Sequence, residues 1–323
     1  MKGGALASAG EGKRETIFQE LRIRFAEAVK RNQAEGLLFS GGLDSSLVAA
    51  HAKDCRALSV GLESHGRDRH YAEKVANFLK MDICYKTVTI QEAISVIPEV
   101  IKTLRSFDPA IPNDVTVHLG LKCAKDMGIG SMMTGDGSDE IFAGYDFMLK
   151  RTDLEEYMAR MHSAMRFSSN KIGEDLGIDI RQPFLDKEFM EFSQGIPLDF
   201  KVRKDKGKTW GKWILRKAFE GVLPEEVLWQ NKRPLEYGSG MTELRRIIES
   251  MVSDEEFEEG KGTDPVRFWN KEHFYYYRVY RKVVGEVPLP GVGQKVCKCC
   301  GAGMNQSAFH CKVCGGVTEW RRL

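Results

Sequence analysis

No apolar run in this sequence approaches the ~20 residues of a membrane-spanning helix. The opening stretch, MKGGALASAGEGKRE, has no apolar core of a secretory leader and reads as a frayed tail. Excess charge is missing too: 48 Lys and Arg stand against 46 Asp and Glu, for a net charge of +2. A polyanion-binding surface would therefore have to be local. No internal repeat is evident. Together these absences point to the cytoplasm and to a protein without membrane contact. Cysteine is sparse until late. Cys55, Cys84 and Cys123 stand singly among apolar neighbours, as buried thiols do in a reducing compartment, whereas the other five of eight crowd into the last 27 residues.

What is present is a chain of 323 residues, long enough for two domains and an appendage. Residues 14–32 place Ile17, Leu21, Phe25, Ala28 and Val29 at helical spacing. From there to Thr134, short apolar strands alternate with helical segments: strands at Gly36–Phe39, Arg56–Leu62, Tyr85–Ile90 and Gly130–Thr134, helices from Leu47, over His70–Leu79, over 91–105 and over Val115–Met127. That alternation predicts an α/β fold with a doubly wound parallel sheet. After Tyr145 strand signals become scarce and helical ones dominate. The expected division is a flexible N-terminus (1–13), an α/β domain (14–150), a helical part completing the site (151–285), a Pro- and Gly-rich linker (286–294) and a small cysteine-rich unit (295–323).

Two motifs follow directly after strands, where parallel sheets bind ligands. The first is Ser40-Gly-Gly-Leu-Asp-Ser-Ser46. Gly41 and Gly42 permit backbone angles and close amide approach that a side chain forbids. The next helix offers free N–H groups and a favourable dipole to an anion, and Ser40, Ser45 and Ser46 add hydroxyl donors. Asp44 would repel bare phosphate, but suits a Mg²⁺ bridging to it. The loop is not of the Gly-x-x-x-x-Gly-Lys-Ser/Thr kind. It resembles the pyrophosphate (PP) loop of N-type ATP pyrophosphatases, which split ATP between the α- and β-phosphates. The second motif, TGDGSDEIFAGY (Thr134–Tyr145), sets Asp136, Asp139 and Glu140 within five residues. Such a cluster repels itself unless a cation relieves it, or it caps a helix.

The two motifs together resemble the synthetase domain of the asparagine synthetase family. So do RQPFLDKEF (Arg181–Phe189), KWILRKAFEGVLPEEVLW (Lys212–Trp229) and the following NKRPLEYGSGM, in matching order from about residue 15 to 250. The resemblance implies an adenine nucleotide α-hydrolase-like fold. It implies a reaction in which a carboxylate is adenylated by ATP, pyrophosphate leaves, and an amine attacks to give an amide and AMP. By the same resemblance Ser40, Gly41, Gly42, Asp44, Ser45 and Ser46 hold the pyrophosphate, and Asp44 and Asp139 bind Mg²⁺. Leu38, Val60 and Gly135 meet the nucleoside, Lys232 stabilises charge on the α-phosphate, and Asp136 takes the proton of the amine.

Several features depart from that family. Only about 35 residues precede the first strand and none is Cys, so a glutaminase domain is not expected. The amine would be free ammonia, ammonia from a separate glutaminase subunit, or another amine. Asp136 stands where Glu is frequent. Phe107–Thr116 lacks an arginine that some members carry, and Gln230 replaces another, so the carboxylate substrate is left open.

Cys297-x₂-Cys300 and Cys311-x₂-Cys314, ten residues apart and each followed by glycine, have the spacing of a small zinc ribbon. So short a segment needs a staple to fold. Cys299 and His310 are expected outside the ligand set; a swap by Cys299, an iron–sulfur cluster or a redox pair are the alternatives. Lys295, Lys298, Lys312, Arg321 and Arg322 oppose only Glu319, and FYYYRVYRK (Phe274–Lys282) mixes aromatic with basic residues. One reading is that the tyrosines pack a helix. The other is that the ribbon holds RNA in a tRNA-modifying enzyme that adenylates a base or a base-attached carboxylate.

Overall fold

A computed structural model describes residues 3–63 and 68–317; Glu319, Arg321 and Arg322 lie outside the described residues. Five strands form one parallel sheet: β1 (Gly36–Leu38), β2 (Arg56–Leu62), β3 (Ile83–Val88), β4 (Ser131–Met133) and β5 (Asp179–Arg181), in the order β3-β2-β1-β4-β5. The chain order thus reverses on either side of β1, which puts a crevice at the carboxyl end of that central strand.

Helices cover both faces, as the alternation of the sequence predicts. They are α1 (Gly3–Arg31), α2 (Leu43–His51), α3 (Asp68–Leu79), α4 (Ile90–Ser95), α5 (Ile97–Leu104), α6 (Ile111–Asp126), α7 (Ser138–Phe142), α8 (Leu154–Ala164) and α9 (Ser168–Leu176). On one face, Leu21, Phe25 and Val29 of α1 pack with Leu47 and Val48 of α2 and with Phe184, Phe189 and Phe219. On the other, Leu121 and Ala124 of α6 and Ile172 and Leu176 of α9 pack on Leu58 and Met132. The fully buried Leu, Ile, Val, Phe and Met side chains among these contribute about 1.5–3 kcal/mol each.

Several boundaries differ from the expectation for physical reasons. α1 begins at Gly3, ahead of residue 14 where its apolar stripe starts. α2 begins at Leu43, so that Asp44 and Ser45 occupy its first turn, where amides have no helical partners, whereas the Ser46 amide already donates to the Gly42 carbonyl at 3.0 Å. The helix expected over 91–105 is two helices, because Pro98, in the first turn of α5, lacks the N–H that would continue α4. β5 has only three residues, two of them polar and exposed, and carries no apolar alternation. The helix Lys271–Val283 buries Tyr276, Tyr277 and Tyr280, so these tyrosines pack as the first reading of FYYYRVYRK expects.

No helix among the described residues is long and apolar enough to cross a membrane. The cysteine-rich unit pairs Lys295–Val296 with Gly303–Met304. Its Cys297, Cys300, Ala302 and Met304 belong to the same apolar cluster as α5 and the helix Lys271–Val283.

Candidate active site

A cavity of about 270 Å³ opens at the carboxyl ends of β1, β2 and β4. Of the residues singled out in the sequence, Leu38, Ser40, Gly42, Asp44, Ser45, Val60, Gly135, Asp136, Asp139 and Lys232 line it. Gly41 and Ser46 do not. Gly41 has φ +70°, and a Cβ there would collide with the backbone of Ala72 on α3. Ser46 is fully buried, and its Oγ has no partner among the described residues. The loop hydroxyls bond to one another: Ser40 Oγ lies 3.2 Å from Ser45 Oγ, and the Gly42 amide donates to Ser40 Oγ at 3.3 Å.

The centre of the site is a group of charges that the sequence only half disclosed. Lys212, 2% exposed, reaches Asp44 Oδ1 and Oδ2 at 2.8 and 2.7 Å and Asp139 Oδ1 at 2.6 Å. Lys232 donates to the other oxygen of Asp139 at 2.6 Å, and Ser138 Oγ donates to Asp44 Oδ1 at 2.7 Å. Burial alone would raise the Asp139 carboxyl, but Lys212 and Lys232 overcome it and hold it at about 2. Burial would likewise lower the Lys232 ammonium, yet Asp139 and Asp44 raise it. The chain makes room for this arrangement at Gly144, where a Cβ would collide with Asp139 Oδ1 and Lys212 Cε.

Lys212 is a candidate site residue that the sequence motifs did not single out. It stands just ahead of the helix Trp213–Ala218 with φ +54°, an uncommon backbone conformation for lysine, and its amide donates to the Phe142 carbonyl at 2.9 Å. Lysine at that position looks like any solvated lysine until the partners are known. Arg216, also missed, lines the cavity. It donates to the carbonyls of Gly211, Leu228 and Gln230, which fixes the chain just before Lys232.

Asp136 sits on a different wall. Its Oδ2 accepts from Thr134 Oγ1 (2.7 Å), Ser169 Oγ (2.6 Å) and Gln182 Nε2 (3.0 Å). Beside it, Tyr145 donates to Glu140 Oε1 at 2.7 Å. Burial, with the charge of Asp139 next to it, pushes Glu140 up to about 7, and burial raises the Tyr145 phenol as well. Gln230 donates to the Gly41 carbonyl at 3.4 Å.

Cys297, Cys300, Cys311 and Cys314 come together away from this cavity. All four are buried, with sulfurs within 4.8 Å of one another. Cys299 is outside the group and turns its thiol to the Arg267 carbonyl at 3.1 Å; His310 is also outside, against Asp108.

A parallel sheet that presents Ser-Gly-Gly-Leu-Asp-Ser-Ser at the end of its central strand, over a crevice of paired carboxylates and lysines, defines a PP-loop α/β fold. The asparagine synthase family profile matches residues 20–174 and 153–276, and the chain belongs to that family. It is 30% identical to a probable asparagine synthetase [glutamine-hydrolyzing] of Dictyostelium discoideum, over 94% of this chain and 62% of that protein. It is 29% identical to asparagine synthetase B [glutamine-hydrolyzing] of Escherichia coli, over 87% of this chain and 56% of that protein. The chain thus spans little more than half the length of these relatives. Among solved structures, NMN synthetase from Francisella tularensis shows a loose likeness (TM-score 0.36, 15% identity, 86% of this chain and 98% of that one).

Proposed function

We propose that the chain is an ATP-dependent, AMP-forming amide synthetase. A substrate carboxylate attacks the α-phosphate of ATP, pyrophosphate leaves, and ammonia or another amine then displaces AMP from the acyl-adenylate to give an amide. The observation that carries this reading is the pairing of the Ser40–Ser46 loop with Asp44, Asp139, Lys212 and Lys232 in one cavity. Membership of the asparagine synthase family supports it.

In this reading Ser40, Gly42 and Ser45, in the loop and the first turn of α2, hold the leaving pyrophosphate with hydroxyls and amides, while Gly41 supplies the turn. Leu38, Val60 and Gly135 form the nucleoside wall. Asp44 and Asp139 suit a divalent cation, because their shared counter-charge is otherwise a lysine. Mg²⁺ there would neutralise the phosphates. Lys232, next to Asp139 and at the cavity edge, stabilises charge that grows on the α-phosphate. Asp136 orients the incoming amine and accepts its proton. The four cysteines suit a structural zinc ion.

The test is to incubate the protein with ATP, Mg²⁺, ammonium and a panel of amino acids, and to measure pyrophosphate and AMP. Carboxylate-dependent release of both supports the reading, and release of ADP overturns it.

A further inference from the structure

The four-cysteine unit is bonded to one particular loop. The Phe107 amide donates to the Val313 carbonyl at 2.7 Å, and Ser106 Oγ donates to the same oxygen at 3.2 Å. His310 Nε2 lies 3.1 Å from Asp108 Oδ2. At Gly315 even a Cβ would press on Asp108 and Pro109, at 2.9 Å. On the far side, Arg267 N donates to the Cys299 carbonyl at 2.8 Å and His273 Nε2 lies 3.2 Å from the Cys314 carbonyl. Phe107, fully buried, is held among His273, Tyr277 and Tyr280 with ring centroids 5.1–5.3 Å away.

That loop leads straight into the cavity wall. Three residues after Asp108 it becomes α6, whose Thr116 and Val117 line the cavity. α6 lies so close to the nucleoside wall that a Cβ on Gly120 would touch Leu38 and Val60, at 2.8 and 3.3 Å. The same segment fixes the stretch after Lys232. Asn113 Oδ1 accepts from the Glu236 amide at 2.9 Å, Thr116 Oγ1 meets Ser239 Oγ at 3.3 Å, and Arg245 joins the Pro109 carbonyl to Glu236 at 2.8 and 2.6 Å.

We infer that the four-cysteine unit takes a zinc ion and acts as a metal-locked clamp that holds loop 106–110, and through it the α6 wall of the nucleotide cavity, in place. The donors fit zinc. Four buried thiols converge, and the amides of Cys299 and Gly316 point at the sulfurs of Cys297 and Cys314 at 3.4 and 3.3 Å. A ribbon of this size has little core of its own, so its order depends on the ion. The ribbon's carbonyls and Gly315 surface then hold the loop only while the ion holds the ribbon. The nucleotide arm of the test rests on the proposed function; the exchange arm does not.

The experiment uses the full chain and three measurements. Native mass spectrometry should find one zinc ion per chain. Hydrogen exchange is followed in the zinc-loaded protein, after chelation, and after zinc is restored. Loss of zinc should speed exchange in 106–117 about tenfold or more, with β1 unchanged and full recovery on re-addition. His310→Ala keeps all four cysteines and should retain zinc, yet speed exchange in the same segment and weaken Mg-ATP binding several-fold. Faster exchange confined to 295–317, or 106–117 unaltered in both chelated protein and His310→Ala, would overturn the clamp. If the zinc-loaded wild type binds no Mg-ATP, the nucleotide reading fails, and the exchange result still decides the clamp.

Discussion

Replacing Lys212 with methionine keeps the length of the side chain and removes the ammonium between Asp44 and Asp139. In the native protein that ammonium lies 2.6–2.8 Å from three carboxylate oxygens and is 2% exposed. Without it Asp44 keeps Ser138 and Asp139 keeps Lys232, but the two carboxylates face each other unscreened. Removing one partner of a buried ion pair costs about 3–5 kcal/mol. An unfolding entropy of about 2.1 cal/mol/K per residue, applied to 323 residues, converts this to a Tm lower by about 4–7 °C. The pH dependence follows from Asp139, held at about 2 against an ordinary 3.8. Its stabilisation is complete above pH 3.8 and is lost as pH falls towards 2. The gap between wild type and variant is therefore full at pH 7 and narrows below pH 4. Mg²⁺ should bind the vacated carboxylate pair and raise the Tm of the variant more than that of wild type. Scanning calorimetry with and without Mg²⁺, and urea unfolding at pH 7 and pH 3, read all of this. A Tm drop below about 1 °C refutes the electrostatic argument. Absence of any Mg²⁺ stabilisation in the variant refutes the carboxylate pair as the cation site.

Lys232→Ala should retain the fold, since Lys212 still pairs both aspartates, but slow carboxylate-dependent pyrophosphate–ATP exchange by about 10²–10³-fold. Gly144→Ala places a methyl on Asp139 and Lys212 and should lower stability by about 1–3 kcal/mol, measured by urea unfolding, with loss of AMP release. Glu140→Gln should be neutral to stability at pH 4.5 and stabilising at pH 8. The folded group, pushed up to about 7 from 4.5, contributes stability that is present below pH 4.5 and lost as pH rises through 7, a loss glutamine does not suffer. Denaturant titrations at the two pH values should differ by up to about 3 kcal/mol.

The sheet and the loop were legible because each is written in consecutive residues. Arg56–Leu62 is a short, mostly apolar stretch that can be seen without knowing its partners, and Ser40–Ser46 declares its turn through two adjacent glycines. The cysteine cluster was legible from spacing alone. What stayed hidden was written across the chain. β5 pairs with β4 through backbone groups, so Asp179–Arg181 carries no side-chain signature. Lys212 gains its meaning only from Asp44 and Asp139, and its left-handed backbone angle leaves no mark in composition. The hold of the ribbon on Phe107 was invisible for the same reason: main-chain carbonyls do the binding, and every residue type has one.

The partners of Lys212 also bear on the order in which the molecule assembles. Asp44 and Lys212 are separated by 168 positions, and Lys232 and Asp139 by 93. Contacts that close such long loops form after local helices and adjacent strands, because the chain entropy must be spent before the contact gives anything back. The charge cluster of the candidate site is therefore a late product of folding. In rising denaturant, turnover should disappear while far-ultraviolet circular dichroism is still native, and on refolding it should return last.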